Sequence, residues 1–189
     1  RNGKVYNQFN RIANEWVLDD QFSNSFDYKE HIGTVYTELS KNWAKMGFRI
    51  GVTAEYTKLD GYSHSLEKQF IDSVYIRPFP SASLLYQPNE KVGFTLYYSS
   101  GIDRPQFTNY DPFVRYDDSL TVSYGNPYLR PAISHTVGID IDLFYAYSLS
   151  IYVSSTADPI SQISFVNDST FFTESTPWNA KLDQSIGAD

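Results

Sequence analysis

Residues 102–131 of this 189-residue chain read IDRPQFTNYDPFVRYDDSLTVSYGNPYLRP, and they gather three arginines, four tyrosines and two asparagines. The chemistry open to such a stretch is recognition. Arg104, Asn109, Tyr110, Arg115, Tyr116 and Asn126 are the expected ligand contacts. The rings of Tyr62, Phe107, Tyr110, Phe113, Tyr116, Tyr124 and Tyr128 are too numerous for exposed loop tips. They either pack the loop against itself or stack on a sugar, a peptide or an aromatic chelator.

Reactive constellations are missing by spacing. Asp19, Asp20, Asp117 and Asp118, with Asp103 and Asp111, offer oxygen ligands but not the fixed intervals of a calcium loop, and they read as solvated loop charge. His31, His64 and His135 never stand two or four residues apart, so no metal site is expected. Ser63 and Ser65 flank His64 without a placed acid, and no two carboxyls have the defined separation that glycoside cleavage needs. The chain has no cysteine, which excludes disulfides and thiolate metal ligands and leaves the redox compartment open. No catalytic residue, metal or cofactor is therefore expected, and the chain does not read as an enzyme. A net charge of -7 and a pI near 4.9 argue against a nucleic-acid partner.

The elements that must position the 102–131 stretch are strands. In 47–57, Phe48, Ile50, Val52, Ala54 and Tyr56 alternate with Gly47, Arg49, Gly51, Thr53 and Glu55, a period of two. Similar alternation marks 30–41, 92–100, 134–143 and 149–154; 81–87 is less regular because Leu84 and Leu85 cannot share a face. Further strands are expected within 160–172, beyond Asn179, and within 4–11. Prolines near 104–105 and 127–131 read as strand punctuation, with Gly125 allowing a tight turn.

Connections alternate in length: short at 41–46, 88–91 and 144–147, long at 58–74, 101–131 and 156–178. Short turns at one end and long loops at the other are the plan of an all-β, antiparallel up-and-down transmembrane β-barrel in the outer membrane, with its long loops extracellular. No run approaches the roughly 18 apolar residues of a spanning helix, but a barrel wall escapes that test. Aromatic residues make up 17% of the chain, which suits strands and interfacial belts in contact with outer-membrane lipid. A lipid-facing Arg at mid-depth costs roughly 2 to 4 kcal/mol, so Arg49, Glu55, Asp140 and Asp142 are expected to line the lumen.

The runs FDYKEHIGTVYTELSKNW, AEYT, FPSASLLYQPNEK, IDRPQF, DPFVRYDD and GNPYLRP occur in order, and together they resemble the outer-membrane β-barrel family of TonB-dependent receptors. The similarity runs from about Phe26 to Ile160, with Arg130 where the family usually has lysine. The resemblance implies a barrel of about 22 strands around a plug domain, with import energised by TonB. Neither plug nor TonB box is in this sequence, and the whole of 1–189 reads as part of one barrel domain from a longer chain. The expected function is TonB-dependent uptake. The alternatives are a barrel with an assembly, adhesion or docking role, its loops binding a partner such as a surface lipoprotein, and a soluble carbohydrate-binding β-sandwich.

Overall fold

The computed structural model of the protein describes residues 2–6, 9–12, 15–18 and 23–189. In chain order the strands are β1 (Asn2–Tyr6), β2 (Phe9–Ile12), β3 (Glu15–Leu18), β4 (Asn24–Asn42), β5 (Met46–Ser63), β6 (Lys68–Asn89) and β7 (Val92–Asp103). After a one-turn helix, α1 (Phe107–Tyr110), come β8 (Arg115–Tyr116), β9 (Thr121–Ser123), β10 (Ala132–Leu143), β11 (Tyr147–Ala157), β12 (Ile160–Val166), β13 (Thr173–Asn179) and β14 (Leu182–Ala188). One eight-stranded antiparallel sheet runs β1-β4-β5-β6-β7-β10-β11-β14. A four-stranded sheet, β12-β13-β9-β8, is built entirely from the two long excursions, and β2 pairs with β3. The expected strand in 4–11 is split between β1 and β2, and the pair Asp19-Asp20 lies outside the described residues.

Cross-strand register shows how the two faces of the large sheet are made. Directly paired residues share a face, and one row reads Leu39, Ile50, Ala82, Tyr98, Val137, Val153, Ile186 across seven strands. The row behind it on the opposite face reads Glu38, Gly51, Ser81, Ser99, Thr136, Ser154, Ser185. Tyr110 and Leu129 pack on the opposite face with Phe26, Tyr28, Leu59 and Ile71, so the apolar face, where Leu39, Ile50, Val137, Val153 and Ile186 are all exposed, is the outside of this protein. Burying such a band in water-excluding lipid is what stabilises it; a soluble sandwich would turn it inward. The strands β10 and β11, of 12 and 11 residues, match what a tilted span needs.

The band ends at a definable height. His31, Lys58 and Val74 form one outward row, and the next is Lys29, Asp60, Asp72. Beyond it the polarity of the two faces inverts: charges point outward, while Phe26, Tyr28, Leu59 and Ile71 are buried on the inward side. This inversion corrects one expectation. Segment 58–74 is not a long loop, because the β5–β6 ladder continues through Lys58↔Val74 to Ser63↔Lys68, with a register shift after Gly61 and a turn only at 64–67. Alternation of apolar residues stops there because the lipid stops, not because the strands do.

Prolines within β6 are tolerated where pairing allows. The β6–β7 ladder begins at Ser81↔Ser99, next to Pro80, and its irregularity between Tyr86 and Asn89 encloses Pro88. Missing N–H groups therefore fall at a ladder end and a bulge. At the same short-turn end as Pro88, the β10–β11 turn has Phe144 and Tyr145 at φ 54° and 59°, a left-handed pair that usually demands Asn-Gly. Both rings are exposed, as are Trp43, Tyr86 and Tyr147 at the same end, which forms an aromatic girdle. Interfacial anchoring has prevailed over turn preference.

On the inward face one row reads Ser40, Arg49, Ser83, Tyr97, Gly138, Tyr152, Gly187. A β-carbon at Gly138 would collide with the Tyr97 ring, and one at Gly187 with the Tyr152 ring. Each tyrosine thus lies flat over the glycine on the neighbouring strand. The pairing covers backbone that glycine would leave bare and keeps the rings close to the wall.

Candidate functional site

The candidate site is the mouth of the sheet above the inversion, where the 104–131 excursion folds down onto the inward face of β4, β5 and β6. Period-two alternation supplies the seat: Phe26, Tyr28 and Glu30 from β4, Glu55, Thr57 and Leu59 from β5, and Ile71 and Tyr75 from β6 all point inward. Tyr110, from α1, lies over them with its ring stacked on Tyr28, centroids 5.6 Å apart and planes 18° from parallel. It is only 2% exposed. Burial, the largest effect, raises its hydroxyl pKa, so it stays protonated and packs as a neutral ring. Leu129, from the far end of the excursion, joins the same apolar cluster.

Polar contacts fix the root of the excursion. The Arg104 guanidinium donates to Glu55 Oε1, and its Nε lies 3.8 Å from Glu30 Oε1. Glu55 also accepts from the Thr57 hydroxyl at 3.2 Å. Burial alone would lower the arginine's pKa, but the hydrogen bond and charge of Glu55 more than offset it and the net shift is upward. Asn24 Nδ2 donates to both carboxylate oxygens of Asp111 at 3.0 and 2.9 Å. Within the excursion the Gly125 N–H donates to the Asp111 carbonyl at 2.8 Å and the Asn126 N–H to the Asn109 carbonyl at 2.7 Å. A β-carbon at Gly125 would come within 2.6 Å of both carbonyls, and its φ is not positive. Close approach of two backbones, rather than a left-handed turn, is why this position is glycine.

The six expected ligand contacts are therefore distributed over different environments. Arg104 and Tyr110 join the wall cluster, where the Tyr110 ring is used for packing; its burial moves it from the ligand-facing set to the supporting one. Asn109 holds the Asn126 backbone, and Asn126 folds its own turn by accepting from the Tyr128 N–H at 3.0 Å while donating to the Pro177 carbonyl at 3.3 Å. Arg115 and Tyr116 form the edge strand β8, with Tyr116 56% exposed and edge-on to Phe172 at 6.1 Å. The structure brings the first four around one loop fold and leaves the last two on the outer sheet.

The four expected lumen residues all lie on the inward face. Arg49 Nε is 3.3 Å from Glu38 Oε1; Asp140 accepts from the Ser150 hydroxyl at 2.6 Å and Asp142 from the Ser148 hydroxyl at 2.7 Å. Glu55 is the only one of the four engaged by the excursion. His64 sits 3.4 Å from Asp27, and Tyr98 bonds His135 at 2.9 Å; among the described residues no group of three or more metal-ligating side chains converges.

Glu30, Tyr28 and Tyr75 went unnoticed in the sequence. The signal was available: these residues are aromatic or charged at the inward parity of strands whose outward parity is apolar further down.

A search of curated proteins finds no match. Among solved structures, the chain is similar to the siderophore receptor PirA from Pseudomonas aeruginosa, at a TM-score of 0.54 and 12% identity, over 98% of this chain and 45% of that one. The chain thus spans less than half the length of that receptor, and the likeness shows the fold. The sequence model of the outer membrane protein β-barrel family matches residues 1–189. With its lipid-facing band, girdle and inverted mouth, the chain belongs to the outer membrane protein β-barrel family and is part of an outer-membrane barrel wall.

Proposed function

We propose that the chain is the wall of a receptor that takes up a substrate in a TonB-dependent manner. In this reading the excursions capture the substrate, the inward face with Arg49, Glu55, Asp140 and Asp142 lines its path, and TonB acts through a plug domain outside this sequence. The observation that carries it is the 104–131 excursion held down at the mouth by Arg104, Asp111 and Tyr110. A loop docked on the inward side is placed to close over a ligand rather than to project into the medium. Fold likeness to a siderophore receptor supports the transport class. Arg104, Asn109, Arg115, Tyr116 and Asn126 are the proposed contacts.

The test is uptake by cells carrying the full receptor with and without TonB, for the wild type and for Arg115→Ala with Tyr116→Ala. Loss of uptake without TonB, and weaker uptake in the double variant at equal membrane insertion, is expected. TonB-independent uptake would overturn the reading, and unchanged uptake would remove Arg115 and Tyr116 from the contacts.

One observation favours a second reading, a docking role. On the outer sheet, register places Ile163 and Phe165 of β12, Trp178 of β13 and Tyr116 of β8 on one face, and all four are exposed. A surface lipoprotein seated there would co-purify with the receptor, and Phe165→Glu would release it.

A further inference from the structure

A cavity of about 390 Å³ opens where the two excursions meet, lined by Asn126, Tyr128, Arg130, Trp178 and Asn179. None of these five residues belongs to the buried cluster around Tyr110. Arg130 precedes Ala132, the first residue of β10, and so stands beyond Ile133, Ile102 and Ala157, the last outward apolar row of that ladder. The cavity is therefore above the hydrocarbon, on the long-loop side.

Its walls are fixed by side-chain amides that bridge the two excursions. Asn126 bonds the Tyr128 N–H and the Pro177 carbonyl; Asn179 accepts from the Arg130 N–H at 2.8 Å and donates to the carbonyls of Arg130 and Asp158 at 2.9 and 2.7 Å. Every polar atom of the two amides is thus used to hold backbone. What remains turned outward is aromatic: Tyr128 is 77% exposed and Trp178 55%. Large rings left open on a braced backbone are stacking platforms whose ordering cost is already met by the fold. At the rim the Arg130 guanidinium donates to Asp158 at 2.7 Å, so donors and acceptors are present but their charges cancel.

We propose that this cavity binds a neutral sugar ring, stacked on Trp178 or Tyr128 with its hydroxyls at the Arg130–Asp158 pair. Sugar rings offer apolar C–H faces to aromatic platforms and edges that both donate and accept. An anionic chelate would need a net positive rim, and the Asp158 carboxylate denies it one. A volume near the lower end of the range for small-molecule pockets fits one or two sugar units. The same chemistry could be offered by a soluble glycan or by the saccharide of an outer-leaflet glycolipid. The inference does not rest on TonB-dependent uptake; it needs only that this rim faces outward.

Saturation-transfer NMR on the full receptor in detergent tests it, with maltotriose, cellotriose and mannotriose as soluble probes, delipidated outer-leaflet oligosaccharide and intact glycolipid vesicles as the second source, and a ferric catecholate complex as the anionic probe. At least one saccharide is expected to bind, about tenfold more weakly in Trp178→Ala or Tyr128→Ala and nearly normally in Trp178→Phe, which keeps a ring. Binding of a free trisaccharide would identify a soluble glycan; binding confined to the outer-leaflet saccharide would identify the glycolipid. Heat-modifiable migration of each variant establishes that the barrel is folded. The proposal is overturned if no saccharide binds, if the two alanine variants bind as the wild type does, or if the ferric complex is preferred to every saccharide. Because no step requires TonB, a failure of import in cells leaves this outcome unaffected.

Discussion

The lower and upper halves of β4, β5 and β6 use the same backbone ladder for opposite purposes. In the lower half the outward row is Leu39, Ile50 and Ala82, and the inward row is Glu38, Gly51 and Ser81. In the upper half the outward row is Lys29, Asp60 and Asp72, while Tyr28, Leu59 and Ile71 are buried inward beneath Tyr110 and Leu129. The strands do not change; the solvent on each side does. Lipid below makes the exterior apolar, and above it water outside plus a folded excursion inside makes the interior apolar. Such a crossing of polarity marks the membrane boundary more sharply than any single residue.

The largest effect is expected from Tyr110→Ala, which removes the ring buried on Tyr28. Truncating a buried aromatic costs roughly 3 to 5 kcal/mol, here drawn from docking of the excursion. Hydrogen exchange and protease cleavage within 104–131 should rise steeply while the barrel stays folded; a protected excursion would show that the inward apolar cluster does not hold it. Next comes a matched pair across the boundary. Ile139→Arg, in the middle of the lipid-facing band, should destabilise folding into lipid by roughly 2 to 4 kcal/mol, whereas Asp72→Arg, outward but above the band, should stay within about 0.5 kcal/mol. Equal penalties in denaturant titrations would erase the boundary.

Smaller still is Gly138→Ala. The added carbon must displace the Tyr97 ring, and overpacking of this sort costs roughly 1 to 3 kcal/mol. Denaturant titration of Gly138→Ala alone and with Tyr97→Ala checks it, since removing the ring should relieve the penalty. Glu55→Gln is expected to have the mildest effect. It keeps a hydrogen-bond acceptor for Arg104 but removes the charge of a half-buried pair, for a loosening of roughly 1 kcal/mol. Proteolysis at the root of the excursion reads it, and the same change at Asp140, which meets a serine hydroxyl instead of a cation, should leave that root untouched.

Much of the wall was legible because lipid enforces a strict period of two. Strands expected at 47–57, 92–100 and 134–143 are found within β5, β7 and β10, and Arg49, Glu55, Asp140 and Asp142 lie on the inward face as their parity required. The mouth was less legible, since residues above the lipid answer to partners far away in sequence. Asn24 meets Asp111 across 87 residues, and Tyr28 meets Tyr110, with no local pattern announcing either. The short strands β8 and β9 are too brief to show a period, and β9 exists because β13 pairs with it in parallel from the following excursion.

By itself, then, the sequence determined the alternation of the wall, the short turns at one end of it, and the placing of charge away from lipid. These are local consequences of one solvent acting on one face of each strand. Only the tertiary structure decided that 58–74 is ladder rather than loop, that Tyr110 faces the wall, and that Asn126, Arg130 and Trp178 share a cavity. Those outcomes depend on which distant segments meet, and pairing across dozens of residues is set by the assembled fold rather than by neighbouring side chains.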